Sequence, residues 1–226
     1  MVIPPDPEIM PFDPSFDAQR GPKVPASHLA PEALRERFRS GRAWDVDQSS
    51  DGRVFDPARA VRPAAVLIGL IEREAGLTVP LTVRASRMSD HAGQISFPGG
   101  GVDADDASPV AAALREAHEE ICLDLEAVEV LGTLPYYHTV SRFQVTPVVA
   151  LIRRGTRIQT NSPEVEETFE VPLSFLTDGA NFQRRLVIQE ERPRTIYSME
   201  YHGRRRYLIW GATAAMLRNF YKFLLA

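Results

Sequence analysis

Cysteine is almost missing from this chain: Cys122 is the only one in 226 residues, which excludes an intrachain disulfide and any multi-cysteine metal site. Positive charge is not in excess either. The formal net charge is -4, so there is no electrostatic case for nucleic acid or another polyanion as a partner. No apolar run approaches the roughly 20 residues that a membrane span needs; the longest, Ala64 to Ile71, has Gly69 inside it. The opening stretch, MVIPPDPEIM, lacks a basic region followed by an apolar one. These absences lead to the expectation of a soluble, unexported, cytoplasmic protein with no membrane partner. No internal repeat is visible.

What is present is a globular composition, 44% hydrophobic and 25% charged, at a length suited to one core with extensions. Eight prolines fall within residues 1–31, a density that opposes helix and central strand and predicts an extended or disordered arm. Residues 32–59 read as a short helix and a linker packing on the core. Pro31 opens that helix, Leu34 and Phe38 share a face, and Gly41 stops it. Residues 60–226 read as the main domain. Its first two β-type runs, AAVLIGLIER and LTVPLTVRAS, look like a hairpin, and Pro80 requires the second to be an edge strand or to pair on one side only at that point.

Ser108 and Pro109 form a cap and first-turn pair, followed by Val110, Leu114, Ala117 and Ile121 at helical spacing. A helix over about 109–121 follows. VEVLGTL and FQVTPVVALI read as strands joined by the loop PYYHTVSR. Trp210, Ala214, Leu217, Tyr221 and Leu224 mark a C-terminal helix with one strongly apolar face, placed either in the core or at a subunit contact, which makes a homodimer one expectation. Strands between helices predict an α/β (α+β) layering of helix, sheet and helix.

The stretch ALREAHEEICL carries the chemistry. At helical spacing Glu116 faces Glu119 and Glu120, a repulsion of only about 0.2–0.5 kcal/mol per pair when solvated. A wet charged face therefore explains the string in isolation. The context is HAGQISFPGGG, immediately upstream, whose three consecutive glycines read as the start of a loop from Gly99 to Asp106 and let a ligand approach the main chain closely. Glu116 and Glu120, at i and i+4, match a hard cation such as Mg²⁺, which takes oxygen ligands from carboxylates, waters and phosphates. Arg115 can hold one carboxylate in place, and a further glutamate can position an attacking water.

Here the chain resembles the Nudix hydrolases. Their box runs Gly, five residues, Glu, seven residues, Arg-Glu, an apolar residue, any residue, Glu-Glu, any residue, Gly and an apolar residue. Arg115, Glu116, Glu119, Glu120 and Leu123 match it. The box glycine falls on Gly101, or on Gly100 if the loop is one residue longer. The first box glutamate falls on Ala107, and Cys122 stands in place of the last glycine. LTVRASRMSDHAGQISFPGG resembles the coenzyme A pyrophosphatase branch at Leu81, Thr82, Arg84, His91, Gly93, Phe97, Pro98, Gly99 and Gly100. Pro80 and Ser89 depart from that branch, which has leucine and often arginine there. NSPEVEETFEVPLSF resembles the same branch and supplies Glu164 and Glu167. The likeness covers about residues 60–225.

The resemblance implies a Nudix-like α/β/α sandwich with a mixed central sheet. It also implies Mg²⁺- or Mn²⁺-dependent cleavage of the pyrophosphate in coenzyme A or a derivative, giving 3′-phosphoadenosine 5′-phosphate and 4′-phosphopantetheine. Glu116, Glu119, Glu120 and Gly100 would bind metal. Arg115, Glu116, Glu119, Glu164 and Glu167 would serve catalysis, and Arg84, Arg87, His91, Gly93, Phe97 and Gly99 would bind substrate. Two alternatives stand beside this: a Nudix pyrophosphatase for ADP-ribose, dinucleotides or nucleoside triphosphates, and a nucleotide-binding scaffold without turnover. Arg204, Arg205 and Arg206 read as an exposed turn, with phosphate binding the lesser reading, and Cys122 as a semi-buried residue at a helix end.

Overall fold

The computed structural model describes residues 7–47, 60–85, 93–188 and 194–226. Helix α1 (Pro31–Arg39) precedes the hairpin of β1 (Arg62–Arg73) and β2 (Gly76–Arg84). The short strands β3 (Ile95–Ser96) and β4 (Gly99–Gly101) lead into helix α2 (Pro109–Ile121). Then come β5 (Val128–Thr133), β6 (Tyr137–His138), β7 (Phe143–Ile152) and β8 (Val165–Pro172). A single turn of helix, α3 (Leu173–Leu176), precedes β9 (Gln183–Val187), β10 (Arg194–His202) and β11 (Arg206–Trp210), and helix α4 (Gly211–Leu225) ends the fold.

Strands β1 to β8 form one mixed sheet, in which β1 and β7 run parallel and, among the described residues, the other pairs run antiparallel. Strands β9, β10 and β11 form a second, antiparallel sheet. Alternation along β1 explains the layering. Ala65, Leu67 and Ile71 face α2 and meet Val148, Ala150 and Ile152 of β7, while Ala64, Ile68 and Leu70 face the opposite core with Val145, Val149 and Leu151. A sheet buried on both faces needs such unbroken apolar runs. The α/β layering of helices around a mixed central sheet is thus as expected.

Pro80 behaves as its missing N–H requires. It lies opposite Glu170 of β8, whereas the pairing of β2 with β1 covers Gly76 to Thr78 and that with β3 begins at Thr82. Two expectations need correction. The three glycines do not form a loop: Gly99, Gly100 and Gly101 pair as a strand with Val66, Ala65 and Ala64. The proline-rich stretch, in its described part from residue 7, is not a free arm. It adopts short 3₁₀ turns and buries Phe16 and Val24. Its backbone carbonyls supply the binding energy that its prolines cannot give as donors: Arg218 donates to Gln19 O and Arg20 O at 2.6 and 2.7 Å, and Tyr221 to Pro22 O at 2.6 Å. The C-terminal helix that provides these donors is buried nearly all round, from Thr213 to Leu224, and so belongs to the core. No helix among the described residues is long and apolar enough to cross a membrane.

Candidate active site

Helix α2 begins where the sequence places its cap. Ser108 has extended backbone and its side chain accepts from Ala111 N at 3.2 Å. Ala112, Ala113, Ala117 and Ile121 bury one stripe against the sheet, which turns Glu116 and Glu120 toward β4. Glu120 is only 7% exposed, and its Oε2 accepts the N–H of Gly99 at 3.1 Å. Burial pushes its carboxyl up to about 7; the Gly99 N–H opposes that and the neighbouring Glu116 adds to it. Burial also raises Glu116, against the pull of Arg115.

The glycine strand is fitted to these carboxylates. A Cβ on Gly100 would fall 2.4 Å from Glu116 Oε1, and one on Gly99 would fall 2.4 Å from the Ala65 carbonyl oxygen. The absence of a side chain serves different ends at the two positions: at Gly100 it makes room for the Glu116 carboxylate, and at Gly99 for the backbone of the neighbouring strand. Glu119 is on the wetter side, 57% exposed, with its Oε2 3.6 Å from Arg115 Nη1.

Arg115 is held by more partners than its sequence neighbours suggest. Its Nη1 donates to Glu116 Oε1 at 2.9 Å, its Nε and Nη2 to Asp106 at 3.1 and 3.0 Å, and its Nη2 also to Gly101 O at 3.2 Å. Asp106 is not among the residues that the sequence leads one to expect at the site. The signal was there in the form of a carboxylate one residue before Ala107, the position at which the resemblance leads one to look for a glutamate.

Arg84, at the end of β2, places Nη2 3.6 Å from Glu164 Oε2, and its charge acts on Glu120 together with that of Glu164. The buried Nε of Arg84 has no hydrogen-bond partner among the described residues. Gly93 donates its N–H to Arg84 O at 3.0 Å. Glu164 is brought in by a chain of backbone bonds: Gln159 N to Ile121 O, Asn161 N to Glu120 O and Ala85 N to Glu164 O. The first two also satisfy carbonyls left open at the end of α2.

Other expected residues lie elsewhere. Phe97 is 1% exposed and packs in the core, two residues before β4. Glu167 does not face the helix carboxylates. It accepts from Tyr207 Oη at 2.6 Å and from Arg205 Nη2 at 2.8 Å, because strand alternation puts it on the face of Phe169, whose ring stacks on Tyr207 at 3.8 Å. Arg205 and Arg206 sit at the β10–β11 turn, paired with Glu167 and with Glu8 and Glu200. Arg87, His91 and Ser89 lie outside the described residues. Cys122 is exposed, not semi-buried, and ends α2 in the left-handed region at φ 52°.

Among the described residues no three His, Cys, Asp or Glu side chains converge tightly enough to hold a metal ion by themselves. The donor chemistry nevertheless fits a hard divalent cation. Two carboxylates whose negative charge burial disfavours stand beside a glycine strand with no side chain in the way, an oxygen-only set of the kind that is completed by water and substrate phosphate.

A family model described as the NUDIX domain matches residues 61–189. The chain is 44% identical over 159 residues to the uncharacterized Nudix hydrolase NudL of Enterobacter sp. (strain 638), a match spanning 70% of this chain and 80% of that protein. With NudL of Citrobacter koseri the identity is 41% over the same coverage. Among solved structures, it is similar to a Nudix hydrolase from M. smegmatis, RenU, at a TM-score of 0.43 and 24% identity, covering 59% of this chain and 81% of that one.

Proposed function

Because this chain belongs to the Nudix family, we propose that it is a hydrolase that cleaves the pyrophosphate bond of a nucleoside diphosphate joined to a second moiety, with Mg²⁺ or Mn²⁺. The observation that carries this reading is the docking of Glu116 and Glu120 onto the Gly99–Gly100 backbone. Hydrolysis of phosphoanhydride bonds is the family's chemistry; the identity of the substrate is our inference.

A divalent cation bound to Glu116, Glu120, Glu119 and the Gly100 carbonyl would neutralise diphosphate oxygens and lower the pKa of a bound water. The protein's own groups then divide the remaining work. Glu119, being the most exposed of the three, can reach solvent to accept a proton from the attacking water or join the ligand set. Arg84, whose buried Nε has no partner among the described residues, offers a donor to a phosphate oxygen, and Glu164 lies 3.6 Å from its Nη2. Arg115 fixes the rotamer of Glu116. The scaffold alternative draws on the departures at Ala107, Ser89 and Cys122, but Asp106 already gives Arg115 a carboxylate partner, which favours the enzyme.

Coenzyme A and its derivatives are favoured by the resemblance of residues 81–100, whereas no relative named above refers to coenzyme A. ADP-ribose, dinucleotides and nucleoside triphosphates contain the same scissile linkage and are equal members of the class. The test is incubation with coenzyme A, ADP-ribose, NADH and a nucleoside triphosphate in Mg²⁺ or Mn²⁺, with products identified by mass spectrometry. Coenzyme A would yield 3′-phosphoadenosine 5′-phosphate, and ADP-ribose would yield AMP. Metal binding without any product would replace the hydrolase reading by the scaffold.

A further inference from the structure

We propose that Asp106 is a positioning residue that keeps Arg115 from closing over the carboxylates on which metal binding depends; this rests on the metal-dependent reading above. A guanidinium has two forked edges and five N–H donors in one plane. Asp106 occupies the Nε–Nη2 edge of Arg115 with both of its oxygens, at 3.1 and 3.0 Å, and Gly101 O takes a further contact from Nη2 at 3.2 Å. Only Nη1 is left for the helix, and it bonds a single oxygen of Glu116, Oε1, at 2.9 Å. The second oxygen of Glu116 stays available to a ligand.

Asp106 is itself fixed. Its backbone N–H donates to Asp103 O at 3.1 Å and its Oδ2 accepts from Asp103 N at 2.9 Å, a closed turn that delivers a short carboxylate to Arg115 from one residue before Ala107. Its side chain is 7% exposed, against 74% for Asp103, which approaches Arg115 only to 3.5 Å. Asp106 is therefore the firm anchor and Asp103 a solvated neighbour.

Without Asp106 the Nε–Nη2 edge keeps only Gly101 O and the solvated Asp103, and the guanidinium is free to turn toward the two carboxylates beside its Nη1 on the same helix: Glu116, already bonded at 2.9 Å, and Glu119 at 3.6 Å. A bidentate arginine–carboxylate pair is stronger than a single contact, so the guanidinium would close on oxygens that the cation needs. The consequence is competition within the site, and Arg115 is its agent.

The experiment is a Mn²⁺ titration by calorimetry on wild type, Asp106→Ala, Arg115→Ala and the double variant, all as full chains, with melting curves on each. Loss of a supporting partner of a metal ligand weakens affinity by about 10–100-fold, so Asp106→Ala should raise the Kd for Mn²⁺ by about tenfold. In the Arg115→Ala background the same substitution should change it less than about twofold, because the competitor is gone. Asp106→Asn, which keeps the side chain's shape and one acceptor, should fall between and serves if the alanine variant does not fold. Unchanged affinity in Asp106→Ala, or an undiminished loss in the double variant, would overturn the proposal. If wild type bound no Mn²⁺, the metal-dependent reading would fall and this inference with it, a result distinct from either of those.

Discussion

Glu120 of the acidic helix accepts a hydrogen bond from the backbone N–H of Gly99 at 3.1 Å, tying a buried carboxylate of the site to a strand that has no side chains. The bond explains why a carboxylate 7% exposed is tolerated there at all. A buried acid without a donor loses several kcal/mol of solvation, and one N–H recovers part of it. The rest is available to a cation.

Replacing Glu120 by Gln should separate fold from function. The amide oxygen can still accept from Gly99, and a buried charge is removed, so the metal-free variant should melt no lower than wild type. Losing a direct ligand should cost more than losing a supporting partner, whose removal costs about 10–100-fold; turnover should therefore fall by at least about a hundredfold. Steady-state rates and melting curves measured on one preparation check both halves. Near wild-type activity would remove Glu120 from the proposed ligand set.

Two adjacent glycines should respond differently to alanine. At Gly100 the new Cβ meets the carboxylate of Glu116, the mobile end of a side chain, so the fold should survive while Glu116 is displaced and Mn²⁺ affinity drops by about tenfold or more. At Gly99 the new Cβ meets the backbone of Ala65 and Val66, at a φ of 156°. That clash is inside the sheet and should cost about 1–3 kcal/mol of stability. Denaturant melts and metal titrations on the two variants should rank in opposite orders.

Much of this was legible in the chain. The cap at Ser108, the apolar stripe of α2, the hairpin of β1 and β2 and the one-sided pairing at Pro80 all follow from local rules, and the structure agrees. The triple glycine signals a loop because its conformational freedom is a local property, whereas its pairing with Ala64 to Val66 depends on a strand more than thirty residues away. The proline-rich stretch differs from expectation for a similar reason: proline density argues against regular structure but says nothing about docking, which α4 provides through Arg218 and Tyr221. Glu167 and Glu164 were alike in sequence. What distinguishes them is place in the fold: Glu164 precedes β8 and is bonded through its carbonyl to Ala85, whereas Glu167 lies within β8 on the face of Phe169.

Acid stability should depend in part on Glu170. Burial pushes its carboxyl up, but hydrogen bonds from Arg73, with Nε at 2.9 Å, and from Thr78 outweigh burial and hold it below the ordinary carboxylate range. The pair joins the β1–β2 hairpin to β8 directly opposite Pro80, where β2 has no N–H to give. A depressed folded-state value means that the stabilisation is complete above the unfolded value, about 4.3, and is lost as pH falls through the lower folded value. Glu170→Gln should lower stability near neutrality by about 1.5–3 kcal/mol, the worth of hydrogen bonds to a charged group. Its melting temperature should also fall less than that of wild type as pH drops below about 4. Parallel pH profiles of the two proteins would contradict the assignment.

Cys122 ends α2 with φ 52° and ψ 35°, a conformation that costs a residue bearing a Cβ about 1–2 kcal/mol. The terminus is otherwise well made: buried Leu123 sends its N–H back to Ala117 O at 3.4 Å, and His118 Nδ1 lies 2.9 Å from Leu123 O. The exposed thiol contributes little packing that a substitution would forfeit. Glycine relieves the strain but loses about 0.5–1 kcal/mol more chain entropy on folding, so Cys122→Gly should stabilise the protein by about 0.5–1 kcal/mol, a rise of about 1–4 °C in Tm at this size. Cys122→Ala keeps the Cβ and should gain nothing. Thermal melts of the three proteins decide the matter, and a glycine variant that melts below the alanine variant would mean that the left-handed cap carries no strain worth relieving.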